Sequence, residues 1–416
     1  MPSVVVIGAG AAGLTAAIVA AREGAAVHVI EATRKGGKKI VVSGGGRCNV
    51  LPSALDPSRF VTDSSPRTLR RMLLAWPLHE QRAFFEHDLG IPLALEAETG
   101  KLFPVSNRAT DIRDGLVNAA LRAGATFAFT TRVTRLGPLA DRPGWRIETE
   151  GEAGPDVTEA DRVVLATGGL SVPKTGSDGF GLRVAARLGH AMHPTYPALT
   201  PLLAETRPHA DLSGVSLTAR VHAPAGARGV QTEGGFLFTH RGYSGPAVLD
   251  VSHLTTLARE RGGDQRVLVQ WADRDADAWT RALLEPGAGL VLTVLREALP
   301  NRLADALLTE ADVPADRARA ELRKDERRRL VRVLTEYPLP WTGDEGYKKA
   351  EVTGGGVALG EVDPHTLESR RAPGLFFCGE VLDAFGPIGG YNFCWAWSTG
   401  RSAGLGAATS LASVGT

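Results

Sequence analysis

A chain of 416 residues with 43% hydrophobic and 22% charged residues holds enough apolar material for two to four packed domains, which excludes wholesale disorder and a membrane bundle. Lysine and arginine number 47 against 46 aspartates and glutamates, so a net charge of +1 provides no global field drawing the protein onto nucleic acid. Glycine is the outlier at 49 residues.

Ser3 to Ile7 is a β-branched run that predicts a strand, and Gly8-Ala9-Gly10-Ala11-Ala12-Gly13 follows it. Leu14 to Glu23 has alanine-rich helical spacing, and Ala26 to Ile30 predicts a second strand closed by Glu31. Strand, G-x-G-x-x-G, helix, strand and acid is the order of a dinucleotide-binding unit. Gly8 permits the tight turn, Gly10 lets the backbone approach a pyrophosphate, and Gly13 allows the helix to pack closely on the strand. The helix N-terminus then faces the phosphates. Glu31 suits the two hydroxyls of an adenosine ribose and disfavours a 2′-phosphate. This unit alone leaves FAD and NAD both open.

Next come the loop Gly36-Gly37-Lys38-Lys39 and the run Ser43-Gly44-Gly45-Gly46-Arg47-Cys48-Asn49. Three glycines make a backbone without bulk, suited to cross a flat ligand or a diphosphate, although a plain turn has the same composition. Leu69 to Leu89 and Asp111 to Ala123 predict scaffold helices. Phe127 to Leu136, Trp145 to Glu150 and Val157 to Leu165 alternate in the manner of a small meander. The last run ends in Ala166-Thr167-Gly168-Gly169, a second approach to the same dinucleotide. His190 and His193 lack a carboxylate partner in a helical context and run into Pro194, so no metal is expected.

From about Met192 prolines and short strands, Ser216 to Ala223 and Gly234 to Thr239 among them, predict an inserted β-barrel or sandwich. Asp273 to Tyr337 predicts two or three helices. Arg317, Arg319, Arg323, Lys324, Arg327, Arg328, Arg329 and Arg332 face only Glu321, Asp325 and Glu326, a local excess of five positive charges. Such a run is ordinarily a solvated helix face; contact with RNA from Arg317 to Arg332 is the alternative. The tail returns to glycine-rich motifs: Ala350 to Val357, Gly374 to Glu380 and Gly386 to Asn392, before a helix over Phe393 to Ala408.

Cys48, Cys378 and Cys394 are an odd, sparse set without CxxC spacing, which argues against a disulfide framework or a zinc ribbon. No leader pattern precedes the first strand and no window reaches 18 uncharged apolar residues, so the reading is cytoplasmic and free of membrane spans.

The combined motifs GAGAAG with Glu31, SGGGRCN, ATGG, FTHRGYSGP (Phe238 to Pro246), EVTGGGV and GEVLDAFGPIGGYN resemble the BaiN-like, or YhiN-like, family of bacterial FAD-dependent oxidoreductases. The likeness extends from Val4 to Gly404, with the helical stretch near 255–340 outside its motifs. It implies an α/β fold with a glutathione-reductase-type, FAD-binding Rossmann domain, discontinuous over 1–193 and 345–416. It further implies an inserted β-barrel-like domain over 194–272 and a helical region over 273–344.

By similarity, Gly8, Gly10, Ala12 and Gly13 hold the pyrophosphate of FAD and Glu31 its ribose, while Lys39 and Arg47 serve the phosphate or ribityl region. Val133 reaches the adenine through its backbone, and Ala166, Thr167 and Gly168 line the second crossing. Gly379-Glu380 stands where many flavoproteins place Gly-Asp before the ribityl chain, and Gly390 and Asn392 sit at the isoalloxazine. A second G-x-G-x-x-G in strand and helix context is missing, so NAD(P)H is expected as a transient co-substrate.

Reduction of an activated C=C bond, in a small enone or in a uracil ring of ribosomal RNA, is the activity this resemblance implies. It needs a general acid beside the acceptor, and Cys48, His240 and Tyr391 are the candidates. Each has a plainer alternative role: Cys48 as a small packed residue, His240 as a turn cap, Tyr391 as a cover on the flavin. The competing function is a non-catalytic flavoprotein that binds a partner and keeps FAD as a structural ligand.

Overall fold

The computed structural model describes residues 1–206, 208–225, 229–287 and 289–409. Two compact units emerge, one from Met1–Tyr196 with the chain from Val352 onward, the other from Pro197–Glu351.

The first unit is built on a five-stranded parallel sheet in the order Leu375–Phe377, Arg162–Leu165, Ser3–Ile7, Ala26–Ile30, Thr126–Ala128. Its central strands are almost wholly apolar because both faces are covered: Val4, Val5, Val6, Val163, Val164, Leu375 and Phe376 are all buried. The chain leaves Ser3–Ile7 toward Ala26–Ile30 on one side and reaches Arg162–Leu165 on the other. The crevice beyond the carboxyl ends of these strands is therefore a topological switch point, where open α/β sheets bind ligands.

Two sequence-predicted strands are each divided in the structure. Gly154–Ala160 belongs to an antiparallel meander with Trp145–Gly151 and Arg132–Pro138, whereas Arg162–Leu165 enters the parallel sheet. Asp161 makes the break, its carboxylate accepting from Ser3 N (2.7 Å) and Ser3 Oγ (2.8 Å). Phe127 to Leu136 likewise divides into Thr126–Ala128 and Arg132–Pro138, with Thr130 in the left-handed region between them. The helix expected over Leu69 to Leu89 is broken at Pro77 into Pro66–Leu73 and Leu78–Ala83, followed by a wide turn over Phe84–Asp88.

The final helix, Tyr391–Ala408, packs on the first, Ala11–Arg22. Gly400 makes this possible: a Cβ there would stand 2.4 Å from Ala12 O.

The second unit is a seven-stranded antiparallel sheet in linear order from Tyr337–Pro338 through Leu268–Gln270, Ser216–Ala223, Val230–Thr239, Gly242–Ser244 and Leu202–Leu203 to Gly343–Asp344. Helices Pro246–Glu260, Ala276–Leu284, Val291–Arg296, Asn301–Glu310 and Lys324–Thr335 share its apolar cluster around Phe236, Phe238, Trp271 and Trp279. Sheet and helices thus have one core. Among the described residues no helix is long and apolar enough to cross a membrane.

Candidate functional site

The G-x-G-x-x-G turn is fixed by backbone contact. Gly8 has φ +102°, and a Cβ there would lie 2.6 Å from Ala166 O. At Gly13 a Cβ would lie 1.9 Å from Gly8 O, so only hydrogen fits between helix and turn. Gly10 differs: a Cβ there would meet nothing within 4 Å, and its backbone is ordinary extended chain at φ −82° and ψ −171°. The glycine at this position keeps open a space that the protein itself leaves empty. No side chain caps the 12-residue helix that begins at Ala11, so its leading N–H groups and positive dipole end are available to an anion.

Glu31 is buried beside this turn. Its Oε2 accepts from Ala9 N (2.7 Å) and its Oε1 from Thr33 N (2.8 Å), which leaves one further lone pair on each oxygen for incoming hydroxyls. The Thr33 hydroxyl is buried with no hydrogen-bond partner. An uncapped helix start, open space over Gly10 and an orphaned hydroxyl next to a buried acid together fit the phosphates and ribose of a dinucleotide. Thr131 N donates to Glu31 O (3.0 Å) and carries the chain toward Val133, which lies beside a register shift in the meander.

Ala166, Thr167 and Gly168 leave the parallel sheet directly after Leu165, against Gly8. On the other side of the cradle Gly379 has φ +75°, and a Cβ there would stand 2.9 Å from Ala12 Cβ. Glu380 follows, half-buried, and is engaged in a network that sequence reasoning missed. Its carboxylate accepts from Lys39 Nζ (2.5 Å), Ser171 Oγ (2.5 Å) and Thr353 N (3.0 Å). Lys39 Nζ also donates to Ser171 Oγ (2.5 Å), and Thr353 Oγ1 accepts from Leu170 N (2.8 Å) and Ser171 N (3.1 Å). Lys39 and Glu380, read separately from the sequence as cofactor contacts, are one ion pair. Ser171 and Thr353 are fully buried, and a lone serine or threonine in sequence carries no signal of such a role.

Other expected residues are engaged by neighbouring protein groups. Arg47 pairs with Glu96 (3.0 Å) and lies over the Phe103 ring at 4.0 Å. Asn392 spends both halves of its amide on Gly386, donating to its O (2.8 Å) and accepting from its N (2.9 Å). It clasps the glycine loop that ends in Gly390 rather than offering its amide outward. Asn49, with its amide turned to satisfy both groups, donates to Leu51 O (3.2 Å) and accepts from Gly390 N (3.0 Å).

The three candidate acids differ in burial and in the bonds they already make. Cys48 is fully buried, and burial pushes its thiol up to about 12, so it is a neutral packed group and a poor proton donor. The Tyr391 phenol accepts from Arg59 Nη1 (2.9 Å) and donates to Ala54 O (3.3 Å), which occupies its proton. His240 belongs to the second unit, where it is exposed in a turn; Thr239 Oγ1, not His240, receives the turn's N–H groups from Arg241 (3.2 Å) and Gly242 (3.0 Å). His190 is buried between Ala185 O (3.0 Å) and Ser369 Oγ (2.6 Å), and His193 Nε2 lies 3.1 Å from Ser64 Oγ.

Burial likewise raises the Cys378 and Cys394 thiols. The native protein is therefore expected to release no colour with an aromatic disulfide reagent at pH 8, and three equivalents per chain after unfolding in guanidinium. A fast-reacting thiol in the native protein would contradict the buried placement.

On the helix Lys324–Thr335 the basic run is half neutralised. Arg317 and Arg323 pair with Glu326 (both 3.0 Å), and Arg329 with Asp325 (3.1 Å). Arg329 also donates to Ala311 O (3.0 Å). Lys324, Arg327, Arg328 and Arg332 make no ion pair among the described residues.

A family model described as "HI0933-like protein Rossmann domain" matches residues 2–406. The chain is 33% identical over 404 residues to a ribosomal RNA dihydrouridine synthase of Escherichia coli (strain K12), covering 95% of each. It is 33% identical over 412 residues to a 3-dehydro-bile acid delta(4,6)-reductase of Clostridium scindens, covering 97% of this chain and 98% of that one. Among solved structures, the 3-ketosteroid delta1-dehydrogenase of Sterolibacterium denitrificans superimposes with a TM-score of 0.53 at 14% identity, covering 98% and 99% of the two chains. A flavocytochrome c3 fumarate reductase gives 0.51 at 17% identity, covering 98% of this chain and 78% of that one. At such identities these two structures report a shared fold.

Proposed function

The chain belongs to the HI0933-like Rossmann family of flavin-dependent oxidoreductases, and on that premise we propose that it is an FAD-dependent, NAD(P)H-consuming reductase of activated C=C bonds. The observation that carries this reading is the cradle itself: open space over Gly10, buried Glu31 with the orphaned Thr33 hydroxyl, and Gly379 set against Ala12.

Bound FAD supplies hydride chemistry at its N5 position. The protein's residues do the rest. Gly8, Gly10, Ala12, Gly13 and the start of the first helix take the pyrophosphate, and Glu31 takes the ribose hydroxyls. Lys39 and Glu380, fixed by Ser171 and Thr353, stand beside the cradle to orient the ribityl portion. The clasp of Asn392 on Gly386 sets the shape of the loop before the final helix. With Cys48 buried and Tyr391 committed, His240 is the candidate acid that remains accessible.

Two acceptor classes follow from the relatives' activities, a uracil ring in ribosomal RNA and a small enone. The unpaired cations Lys324, Arg327, Arg328 and Arg332 favour the RNA-borne acceptor, and a cytoplasmic site of action goes with it. Anaerobic titration tests the core of the proposal. NADH or NADPH is expected to bleach a yellow protein, and an enone or a uridine-containing ribosomal RNA fragment is expected to restore the colour under nitrogen. A protein that carries FAD yet stays oxidised with both nicotinamides would instead be a flavin-bearing binding protein.

A further inference from the structure

We infer that the exposed face of the helix Pro66–Leu73, continued by Arg59, is a docking surface for the phosphate backbone of RNA. The inference rests on the RNA-borne acceptor proposed above and locates a contact surface for it in the same unit as the nucleotide cradle.

The helix is sharply two-sided. Leu69, Met72 and Leu73 are buried, while Arg67, Arg70 and Arg71 project from the opposite side and are exposed. At 100° per residue the three arginines fall within a stripe about 100° wide, directly away from the buried face. None of them forms an ion pair or a side-chain hydrogen bond among the described residues, unlike Arg317, Arg323 and Arg329 in the second unit. The segment 56–73 carries only Asp56 and Asp63 as acids. Asp56 is held below its ordinary range first by the hydroxyl and N–H of Ser58 and further by the charges of Arg59 and Arg70.

This cationic stripe is tied to the loop that precedes the final helix. Arg59 donates to Tyr391 Oη (2.9 Å) and lies over its ring at 4.9 Å. Val61 and Phe385 exchange backbone hydrogen bonds of 2.8 and 3.1 Å. Asp383 Oδ2 accepts from Thr62 Oγ1 (2.8 Å), Asp63 N (3.0 Å), Ser64 N (2.9 Å) and Ser64 Oγ (2.8 Å). The helix N-terminus therefore cannot move independently of residues 383–391, the segment with which the family motif addresses the flavin. Three unpaired guanidinium groups on one face of a tethered helix present positive charge to a phosphate chain, which Arg recognises in bidentate fashion. A small neutral enone has no use for them.

The test uses the flavin-loaded full chain and an in vitro transcribed ribosomal RNA fragment, with binding measured between 50 and 200 mM salt. Replacing Arg67, Arg70 and Arg71 together by Gln is expected to lower the salt slope of log K by about 2 to 3 and to weaken binding at least tenfold at the lower salt. Flavin content and melting temperature serve as the folding control and are expected to match wild type. Wild-type protein that binds RNA while the triple variant keeps the full slope overturns this surface and leaves the RNA-borne acceptor standing. Wild-type protein with no salt-dependent RNA affinity overturns both. If the triple variant loses only affinity for phosphatidylglycerol vesicles, the face is a lipid-contact surface and the inference is wrong.

Discussion

Gly13→Ala is expected to cost the apoprotein more than about 3 kcal/mol, whereas Gly10→Ala should leave its stability unchanged and still strip the protein of FAD. A methyl at position 13 would sit 1.9 Å from Gly8 O, a backbone atom within a turn that itself has Ala166 O against its other side. Nothing there can yield without separating helix from strand. A fall in melting temperature on the order of 10 °C follows for a unit of this size. At position 10 the backbone is already in a conformation alanine adopts freely, and its methyl would point into open space. Its cost arises only when a pyrophosphate occupies that space, as a loss of FAD affinity on the order of tenfold to a hundredfold. Differential scanning fluorimetry of the apoprotein and flavin retention on gel filtration measure the two effects separately. Equal flavin retention by Gly10→Ala and wild type would remove the pyrophosphate from this turn.

The second large effect is expected at Glu380. Glu380→Ala deprives Lys39, Ser171 and the buried N–H of Thr353 of their acceptor at once. Lys39 is partly exposed and can turn to water, and the Ser171 hydroxyl can rotate. The Thr353 N–H lies in a buried strand and has no such escape. A destabilisation of about 2 to 4 kcal/mol follows, together with loss of flavin. Glu380→Gln keeps a carbonyl oxygen for Thr353 N and Ser171 Oγ and loses the acceptor and charge opposite Lys39, which is partly exposed and can turn to water, so it should recover most of the stability. Urea unfolding of the two apoproteins makes the comparison. Indistinguishable midpoints for Ala and Gln would mean that the network does not hold this part of the cradle.

The cradle was legible because its constraints are steric and local. Gly8 and Gly13 announce themselves wherever a strand must turn into a helix at close range, and Glu31 follows at the end of the next strand. What Glu31 binds was not legible: its acceptors are already shared with Ala9 N and Thr33 N, a detail set by the loop's dihedral angles. Ser171 and Thr353 were invisible for a different reason. They stand 182 residues apart, and two ordinary residue types become a network only once the parallel sheet has brought their loops together. The strand expected over Val157 to Leu165 shows the limit of hydrophobic pattern, since alternation continues through Asp161 while the chain changes sheets. Cys48 shows the same limit for chemistry. The glycines beside it suggest access, but packing decides, and the packing there is complete.

The close fit of Gly400 against Ala12 also dictates an order of events during synthesis. The phosphate-binding turn is written in residues 8–13, and the helix that follows finds one partner early, the helix Ala109–Arg122, but its contact with the final helix waits for residues near 400. The edge strand Leu375–Phe377 and Glu380, which complete sheet and cradle, arrive at the same late stage. A nascent chain therefore carries an unfinished nucleotide fold, with part of the apolar surface of its first helix uncovered, until Tyr391–Ala408 has been made.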